Sequence, residues 1–336
     1  MIEQATRILL AKEDLTAAQM AAVMEEIMGA QADTPQIVAF LNALSDKGES
    51  VEELVAAVRV MRRHARKVSC RHKLILDTCG TGGDQKGTFN ISTVTAFVVS
   101  ACGVAVAKHG NRSVSSKSGS ADILEALGVN INMSVEKMQK CLDEIGIAFL
   151  FAQSLHPAMK FAAEARKEIS RRTIFNLLGP LSNPAGATHQ LIGVFERRWT
   201  RPLAEVLAAL GTVHALIVHG SDGLDEITIS GPTYVSEFSK GGLRDYQIEP
   251  EEFGFKRAPL QELQGKDAAY NAGMMLDILK GQAGAKRDIV LFNSAVALFT
   301  ADKVASIKAG VVLAAEAIDS GKALGKLDQL KECSRN

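Results

Sequence analysis

The chain has 336 residues, of which 47% are apolar and 23% are charged, so it can bury a large core as a globular protein. The length predicts two domains or one large domain. Lys and Arg together number 38, and so do Asp and Glu, which gives a formal net charge of zero. This balance argues against a protein that coats nucleic acid, because such proteins carry an excess of basic residues.

The cysteines and the hydropathy pattern predict a cytoplasmic protein with no membrane contact. The five cysteines are odd in number and lack CxxC spacing, which is typical of reduced thiols and not of a disulfide framework. The opening stretch MIEQATRILLAKEDL contains acidic side chains and lacks the apolar core of a signal peptide. No apolar run reaches the ~18 residues that a membrane-spanning helix needs.

The first seventy residues predict an all-helical domain. Apolar residues recur at intervals of three and four in LTAAQMAAVMEEIM, TPQIVAFLNAL and VEELVAAVRVMRR. Capping boxes are predicted at Thr16 and at Ser50, where each hydroxyl can accept a hydrogen bond from an amide of the first turn. Thr34 is predicted as an N-cap, because a proline follows it at the first helical position.

A basic segment, MRRHARKVSCRHK at residues 61–73, follows these helices. A nucleic-acid patch is one interpretation, but no aromatic residue is interleaved and the charge is local. A solvated helix end and linker is the favoured interpretation. Attraction of an anionic substrate to a neighbouring cleft is a compatible further role.

The remaining chain predicts an α/β fold with a mainly parallel sheet. Short apolar runs, LILDT, VAVAKHG, AFLFA, QLIGVF and ALIVHG, mostly precede a polar or glycine-rich loop and then a helical pattern. Between Ile147 and Val194 this rhythm gives way to a largely helical stretch, with breaks predicted at Gly179-Pro180 and Asn183-Pro184. TYVSEFSKGGLRDYQI predicts a β-ribbon, and amphipathic helices follow it to the C-terminus.

Three polar loops follow predicted strands, and in an open α/β sheet ligands bind beyond the carboxyl ends of the strands. The loops are CGTGGDQKGTFNIST, NRSVSSKSGSAD and SDGLDE. The first does not match a dinucleotide fingerprint, since Gln85 stands where the third glycine belongs, and it is not a Walker loop. Each loop taken singly is as consistent with an ordinary turn as with a site. Their shared position favours a binding site.

The residue types in these loops suit a phosphate ester bound with magnesium. Gly80, Gly82 and Gly83 let backbone amides approach an anion. Phosphate oxygens also suit the start of the next helix and the residues Thr88, Asn90, Ser92, Thr93 and Lys108. Asp225 and Glu226 are adjacent hard carboxylates, which Mg²⁺ prefers and usually shares with substrate phosphates.

These same residues resemble the anthranilate phosphoribosyltransferase family. The resemblance is carried by GTGGDQKGTFNIST, KHGNRSVSSKSGSAD, HPAMK, RRTIFNLLGPLSNPA and VHGSDGLDEIT, and it extends over essentially the whole chain. It implies the nucleoside-phosphorylase-like architecture. In that architecture, residues 1–70 form a small helical domain with a helical contribution from about 168–187. Residues 71–167 and 188–336 form the large α/β domain, and two chains dimerise through the helical part.

The resemblance also implies a reaction in tryptophan biosynthesis, between anthranilate and phosphoribosyl pyrophosphate (PRPP), and a set of site residues. The residues that would bind PRPP are Gly80, Gly83, Asp84, Thr88, Asn90, Ser92, Thr93, Lys108, Asn111, Ser116 and Ser120. The residues that would line the anthranilate site are Gly80, His109, Asn111, His156, Arg166 and Pro180. Ser92 and Glu226 would ligate one Mg²⁺ ion, and Asp225 and Glu226 would ligate a second.

In the implied mechanism, pyrophosphate leaves ribose C1 and the weakly nucleophilic aromatic amine attacks, so positioning matters more than deprotonation. Arg166 is expected to clamp the anthranilate carboxylate. His109 and His156 are expected to orient the substrate, with general-base catalysis as the alternative. Two other functions stay open: a nucleoside phosphorylase, which would be expected to lack the acidic pair, and a nucleic-acid binder of the same fold, which only the basic segment supports.

Overall fold

The computed structural model describes residues 1–113, 118–240 and 242–335, so Ser116 lies outside the described residues. The N-terminal part is helical, as predicted: α1 (Ile2–Leu10), α2 (Ala17–Met28), α3 (Thr34–Lys47) and α4 (Val51–His64). Both capping boxes are confirmed, at Thr16 before α2 and at Ser50 before α4. No helix in the described residues combines the length and the apolar character that crossing a membrane requires.

The predicted N-cap of α3 is wrong by one residue. The cap is Asp33, whose carboxylate accepts a hydrogen bond from the Gln36 amide at 2.9 Å, while the Gln36 side chain accepts one from the Asp33 amide at 3.1 Å. Thr34 is therefore the first helical residue. A carboxylate at this position also complements the positive end of the helix dipole, so Asp33 is the stronger cap of the two neighbours.

The large part contains one twisted sheet. Its strands are β1 (Leu76–Gly80), β2 (Val106–Gly110), β3 (Ile147–Phe151), β4 (His189–Gly193), β5 (His214–Gly220), β6 (Thr233–Ser239) and β7 (Gly242–Ile248). The order is β3-β2-β1-β4-β5-β6-β7, with parallel pairing from β3 to β5 and antiparallel pairing from β5 to β7. The predictions of a mainly parallel sheet and of a terminal β-ribbon are confirmed. The chain reverses direction across the sheet between β1 and β4, where ligands bind in such folds.

Helices cover this sheet and connect its strands. They are α5 (Ile91–Ala101), α6 (Ser120–Ala126), α7 (Val135–Ile145), α8 (Ala152–Leu155), α9 (Ala163–Glu168), α10 (Phe175–Leu181), α11 (Thr200–Ala209), α12 (Ala268–Leu279), α13 (Ala285–Thr300), α14 (Ile307–Asp319) and α15 (Lys322–Arg335). Short 3₁₀ turns lie at Pro157–Ala162, Arg197–Trp199, Pro250–Phe253 and Leu260–Leu263.

The helix break predicted at Gly179-Pro180 is wrong, because α10 continues through Pro180 to Leu181. Proline there removes one backbone hydrogen bond in the last turn of a short helix, which is a small loss at that position. The helix ends before Asn183-Pro184, where the residue preceding a proline is disfavoured in helical conformation.

Buried apolar residues form two clusters. One lies between the sheet and helices such as α5 and α13. The other joins α1 to α4 with α10, α11 and side chains of β4 and β5, among them Ile192 and Ile217. The helical part therefore packs on the α/β part over a continuous apolar contact. The domain boundaries named above stay a prediction.

The basic segment contacts both parts of the chain, and on the α/β side the Arg71 amide donates to Asp143 Oδ1 of α7 at 2.8 Å. Arg62 donates two hydrogen bonds to the Leu181 carbonyl, at 2.9 and 2.7 Å. Arg63 and His64 both contact the Glu25 carboxylate at 2.6 Å. These contacts support the interpretation as a helix end and linker.

Candidate active site

Glycines end β1 and β4 because the chain at Asp225 lies directly against them. A Cβ atom on Gly193 would lie 1.6 Å from the Asp225 carbonyl oxygen, and one on Gly80 would lie 2.8 Å from Asp225 Oδ2. A side chain at Gly193 would displace the loop that carries the acidic pair, Asp225 and Glu226, and one at Gly80 would meet the Asp225 carboxylate. Close backbone approach is a common reason for glycine at a strand end.

Hydrogen bonds fix the acidic pair against the glycine loop (residues 80–87) and against α5. The Gly82 amide donates to Asp225 Oδ2 at 2.8 Å, and the Ser92 amide in the first turn of α5 donates to Glu226 Oε1 at 3.1 Å. The chain just beyond Glu226 is fixed as well, because buried Asn293 bonds both the amide and the carbonyl of Ile227, at 3.1 and 2.8 Å. The glycine loop, the start of α5 and the acidic pair are far apart in the sequence, and these hydrogen bonds bring them into one compact group.

This group is rich in carboxylates and poor in compensating cations. Burial, together with the charges of Asp84 and Glu226, raises the pKa of Asp225 well above its usual range. Burial also raises the pKa of Glu226 to about 7, although Lys108 opposes the shift. One Asp84 oxygen, Oδ2, is buried with no hydrogen-bond partner among the described residues.

Such a carboxylate set fits a divalent cation, since oxygen ligands and uncompensated negative charge are what Mg²⁺ requires. Within the described ranges, however, no group of three or more His, Cys, Asp or Glu side chains could bind a metal ion unaided. A divalent cation at this group would therefore need further oxygen ligands, such as those of a bound phosphate ester.

A buried cation, Lys108 on β2, lies beside this group. Its Nζ donates to the Thr78 carbonyl and, at 3.3 Å, to Ser92 Oγ. Burial lowers the pKa of Lys108, and the charge of Asp77 opposes that shift. Asp77 is itself fully buried, which raises its pKa to about 6. A second neighbour, Asn183, donates to Asp77 Oδ2 at 2.7 Å and so fixes the carboxylate that faces Lys108.

The glycine loop presents unpaired backbone amides. Gly82, Gly83 and Gln85 have positive φ angles of 67°, 79° and 58°. Among the described residues, the amides of residues 83, 84 and 85 donate no hydrogen bond. Successive amides that point to one side form an anion-binding concavity. We call residues 83–85 the amide nest.

The loop is braced from behind by a distant segment, residues 263–265. The Phe89 amide donates to the Leu263 carbonyl at 3.0 Å, and the Gly265 amide donates to the Gly87 carbonyl at 2.9 Å. Thr88 forms an isolated bridge with Gln264. The amides of the nest take no part in this brace.

Two further polar residues predicted for the site link its loops. Asn90, the N-cap of α5, donates from Nδ2 to the Ser118 carbonyl at 3.1 Å. Ser120 Oγ, at the start of α6, donates to the Asn111 carbonyl at 3.3 Å. Thr93 is buried in the first turn of α5. The ends of β1 and β2 thus share one polar surface.

A pair of buried histidines lies next to this surface. The rings of His109, on β2, and His156, after α8, have centroids 5.1 Å apart. Burial lowers the pKa of His109 to about 3 and that of His156 to about 4. Neither Nε2 atom has a hydrogen-bond partner among the described residues. Both rings are therefore neutral at pH 7, and each has a free nitrogen.

Arg166, near the end of α9, is a half-buried cation. Its guanidinium lies 5.4 Å from the centroid of the Phe175 ring, in the first turn of α10. Burial lowers its pKa, and no carboxylate in residues 1–113, 118–240 and 242–335 forms an ion pair with it. The backbone of Gly179, one turn along α10 and just before Pro180, contacts the ring of His109. Arg166 and the histidines therefore approach the two ends of the same short helix.

Comparison with known proteins identifies the family of the chain. The glycosyl transferase family, a/b domain, matches residues 72–324, and its helical bundle domain matches residues 3–65. Anthranilate phosphoribosyltransferase from Anaeromyxobacter sp. (strain K) is 53% identical over 330 residues, which cover 98% of each chain. The chain belongs to the anthranilate phosphoribosyltransferase family.

Solved structures of anthranilate phosphoribosyltransferases share the fold over the full length. The crystal structure of the Thermus thermophilus enzyme has a TM-score of 0.94 at 42% identity, with 99% of each chain covered. The Saccharomyces cerevisiae enzyme in complex with PRPP and Mg has a TM-score of 0.91 at 27% identity, covering 99% of this chain and 98% of the other. The same yeast enzyme has also been solved with 4-fluoroanthranilate, with a TM-score of 0.90 at 26% identity and the same coverage.

In this member of the anthranilate phosphoribosyltransferase family, several positioning residues escaped the sequence predictions. Gly193 had a usable signal, because a glycine closes the predicted strand QLIGVF. Asn293 had one too, as a polar residue inside the apolar run DIVLFNSAVALF. The brace at residues 263–265 had none, because its partners lie far away in the chain. Arg172, within RRTIFNLLGP, contacts the glycine loop through the Gly83 carbonyl.

Proposed function

We propose that this chain transfers the 5-phosphoribosyl group of PRPP to the amine of anthranilate, in tryptophan biosynthesis. The products are N-(5-phosphoribosyl)anthranilate and pyrophosphate. The observation that carries the proposal is the attachment of the acidic pair to the glycine loop and to α5, through the Gly82 and Ser92 amides. This arrangement brings a cation-binding group and an anion-binding group to one point, as a magnesium pyrophosphate ester requires.

PRPP binds, in this proposal, along the polar surface between β1 and β2. The amide nest and the start of α5 contact the pyrophosphate, and Lys108 on β2 adds a nearby positive charge. The residues assigned to PRPP are Gly80, Gly83, Asp84, Thr88, Asn90, Ser92, Thr93, Lys108, Asn111, Ser116 and Ser120. Support comes from the free amides of residues 83–85 and from the burial of Lys108 beside Ser92. The yeast relative in complex with PRPP and Mg has the same fold.

Magnesium is assigned to the acidic pair and Ser92. We assign one ion to Ser92 and Glu226 and a second to Asp225 and Glu226. When bound, Mg²⁺ supplies positive charge to the pyrophosphate as the bond to ribose C1 breaks. The protein contributes rigid placement, because three backbone or side-chain contacts fix the acidic pair and its neighbour Ile227 before any ligand arrives.

Anthranilate is assigned to the space between the histidine pair and Arg166. Arg166 has no acidic partner within the described part of the chain. Its guanidinium can therefore donate two parallel hydrogen bonds to the substrate carboxylate. A histidine that protonates only near pH 3 is a weak base at pH 7, yet its free Nε2 can accept a hydrogen bond from the aromatic amine. His109 and His156 therefore orient the amine, and Gly80, Asn111 and Pro180 complete the walls.

We further propose a homodimer formed through the helical part and a cytoplasmic location. Met1 and Leu10, at the two ends of α1, are 50% and 66% exposed, and burial of both apolar side chains would favour an interface on this side. All five cysteines are free thiols, which suits a reducing compartment.

The test is a fluorescence assay of anthranilate consumption with the purified chain. Consumption that requires both PRPP and magnesium, with release of pyrophosphate, is the expected result. Phosphorolysis of a nucleoside without anthranilate turnover would reassign the site to a nucleoside phosphorylase. A mobility-shift assay with nucleic acid at physiological salt serves as the second control, because tight binding without turnover would overturn the proposal.

A further inference from the structure

Two consecutive arginines in the segment between α9 and α10 extend in opposite directions. Arg171 contacts α3 of the helical part: its Nη1 lies 2.5 Å from Asp46 Oδ1, and its Nη2 donates to the Asn42 carbonyl at 2.8 Å. Ser45 of the same helix donates to the Arg172 carbonyl at 3.3 Å. This side of the segment is thus attached to the helical part.

Arg172 contacts the α/β part. Its Nη2 donates to the Gly83 carbonyl, its Nη1 lies 3.0 Å from Glu196 Oε1, and its guanidinium carbon lies 3.9 Å from the centroid of the Phe195 ring. The ion pair and the ring fix the guanidinium plane, so the direction of the bond to Gly83 is also fixed. The Arg171–Arg172 pair therefore spans from α3 to the glycine loop.

The contact with Gly83 determines which way the amide nest faces. In a trans peptide unit the C=O and N–H point in opposite directions, and no cis peptide occurs in the described residues. A guanidinium that binds the Gly83 carbonyl on one side therefore points the Asp84 amide to the other side. That amide has no acceptor among the described residues. Gly83 has a φ of +79°, and glycine's conformational freedom would otherwise let this peptide rotate and turn its carbonyl toward the anion.

We propose that Arg172 is a positioning residue that orients the amide nest toward pyrophosphate, and that Arg171 couples this nest to the helical part. The inference rests on the proposed function and names a residue that none of its assignments includes. Arg166, the carboxylate clamp, lies in the last turn of α9, which leads directly into this segment. Binding of the phosphoribosyl donor consequently favours the placement of Arg166, and the donor site and the acceptor site are energetically coupled.

The first test measures binding of magnesium pyrophosphate by isothermal titration calorimetry, without turnover. Arg172→Ala is expected to raise the Kd about tenfold, the effect of losing one charge-assisted hydrogen bond at a partly exposed position. Arg172→Lys is expected to recover part of that loss, because lysine keeps the charge but not the planar contact. The matched control is Arg198→Ala: Arg198 pairs with the other Glu196 oxygen at 2.7 Å and is 70% exposed. That variant should stay within about twofold of wild type.

The second test measures the coupling. Anthranilate affinity is followed by fluorescence with and without magnesium pyrophosphate, and the ratio of the two Kd values is compared among variants. Arg171→Ala is expected to leave pyrophosphate binding within about twofold of wild type and to bring the ratio toward one. Thermal unfolding of each variant distinguishes this effect from general loss of structure.

The outcomes separate the inference from the proposed function. If the wild-type chain consumes anthranilate but Arg172→Ala binds pyrophosphate as wild type does, the positioning role is wrong and the function stands. Equal losses in Arg172→Ala and Arg198→Ala would also overturn it, since the effect would then belong to Glu196. An unchanged ratio in Arg171→Ala would remove the coupling. A wild-type chain that neither binds pyrophosphate nor consumes anthranilate would instead refute the proposed function itself.

Discussion

Gly193→Ala should reveal how strictly the acidic pair must be placed. The new Cβ would lie 1.6 Å from the Asp225 carbonyl oxygen and 2.3 Å from its carbonyl carbon. A non-bonded carbon and oxygen require about 3.5 Å, so β4 and this loop must separate by roughly 2 Å. The Asp225 atoms are backbone and the position of a Cβ is set by its own backbone, so no rotamer change can relieve the contact. The equivalent change at Gly80 meets a carboxylate oxygen at 2.8 Å, which a side-chain rotation can move.

A misplacement of about 1 Å in a catalytic group costs about a hundredfold in rate. We therefore expect Gly193→Ala to lower kcat/KM at saturating magnesium by at least about a hundredfold, or about 2.7 kcal/mol of transition-state stabilisation. Overpacking should also lower the free energy of unfolding by about 1–3 kcal/mol. Gly80→Ala should show the smaller loss of activity.

The assay is anthranilate consumption followed by fluorescence, combined with thermal unfolding of each variant. Gly325→Ala in α15 is the matched control: its Cβ would meet nothing within 4 Å. Replacing a helical glycine with alanine should leave activity unchanged and stabilise the fold slightly. Activity of Gly193→Ala within fivefold of wild type would show that the acidic pair tolerates displacement, and the reasoning from close contact would fail.

Three further predictions concern single side chains. Arg166→Ala should raise the KM for anthranilate about a hundredfold with little change in the KM for PRPP, because only the carboxylate contact is lost; equal damage to both constants would contradict the clamp. Glu226→Ala should nearly abolish turnover at any magnesium concentration, and wild-type activity at saturating magnesium would remove this residue from the metal site. Burial alone would lower the pKa of His214, but its hydrogen bonds with Glu237 and Asp302 raise it above its usual value. The stabilisation is therefore complete below about pH 6.5 and is lost as the pH rises through the higher folded pKa, so the difference in Tm between wild type and His214→Gln should shrink from pH 6 to pH 9. A constant difference would mean that His214 acts by packing alone.

The sequence predicted the parallel strands well, since strands buried on both faces are continuous apolar runs bounded by polar loops. It also predicted both capping boxes, at Thr16 and Ser50, because their signals lie within four residues. The N-cap of α3 was harder to predict, because both Asp33 and Thr34 have side chains that can cap a helix. The structure uses the carboxylate of Asp33. Pro180 was wrongly predicted to break the helix. The free-energy cost of a helical proline depends on its distance from the helix end, and α10 ends only one residue later, at Leu181.

The site was predictable where residue chemistry and strand ends coincided, and less so where contacts are long-range. The acidic pair and Lys108 were named because they lie at or just beyond the ends of apolar strands. The hydrogen bond between Gly87 and Gly265 could not be predicted, because no local pattern around either residue indicates its distant partner. The role of Arg172 depends on the direction of a single peptide unit, which only three-dimensional geometry reveals.

The strand order has a consequence for how the chain is made. The bonds that attach the acidic pair join residues 143 and 134 positions apart, and β4 must lie between β1 and β5 before either bond can form. If the acidic pair binds the donor as proposed, a nascent chain cannot retain it until the ribosome has released residues 225–226, and closure of such distant segments is slow. Magnesium pyrophosphate added during refolding should accordingly slow unfolding without accelerating folding, because only the finished fold can bind it.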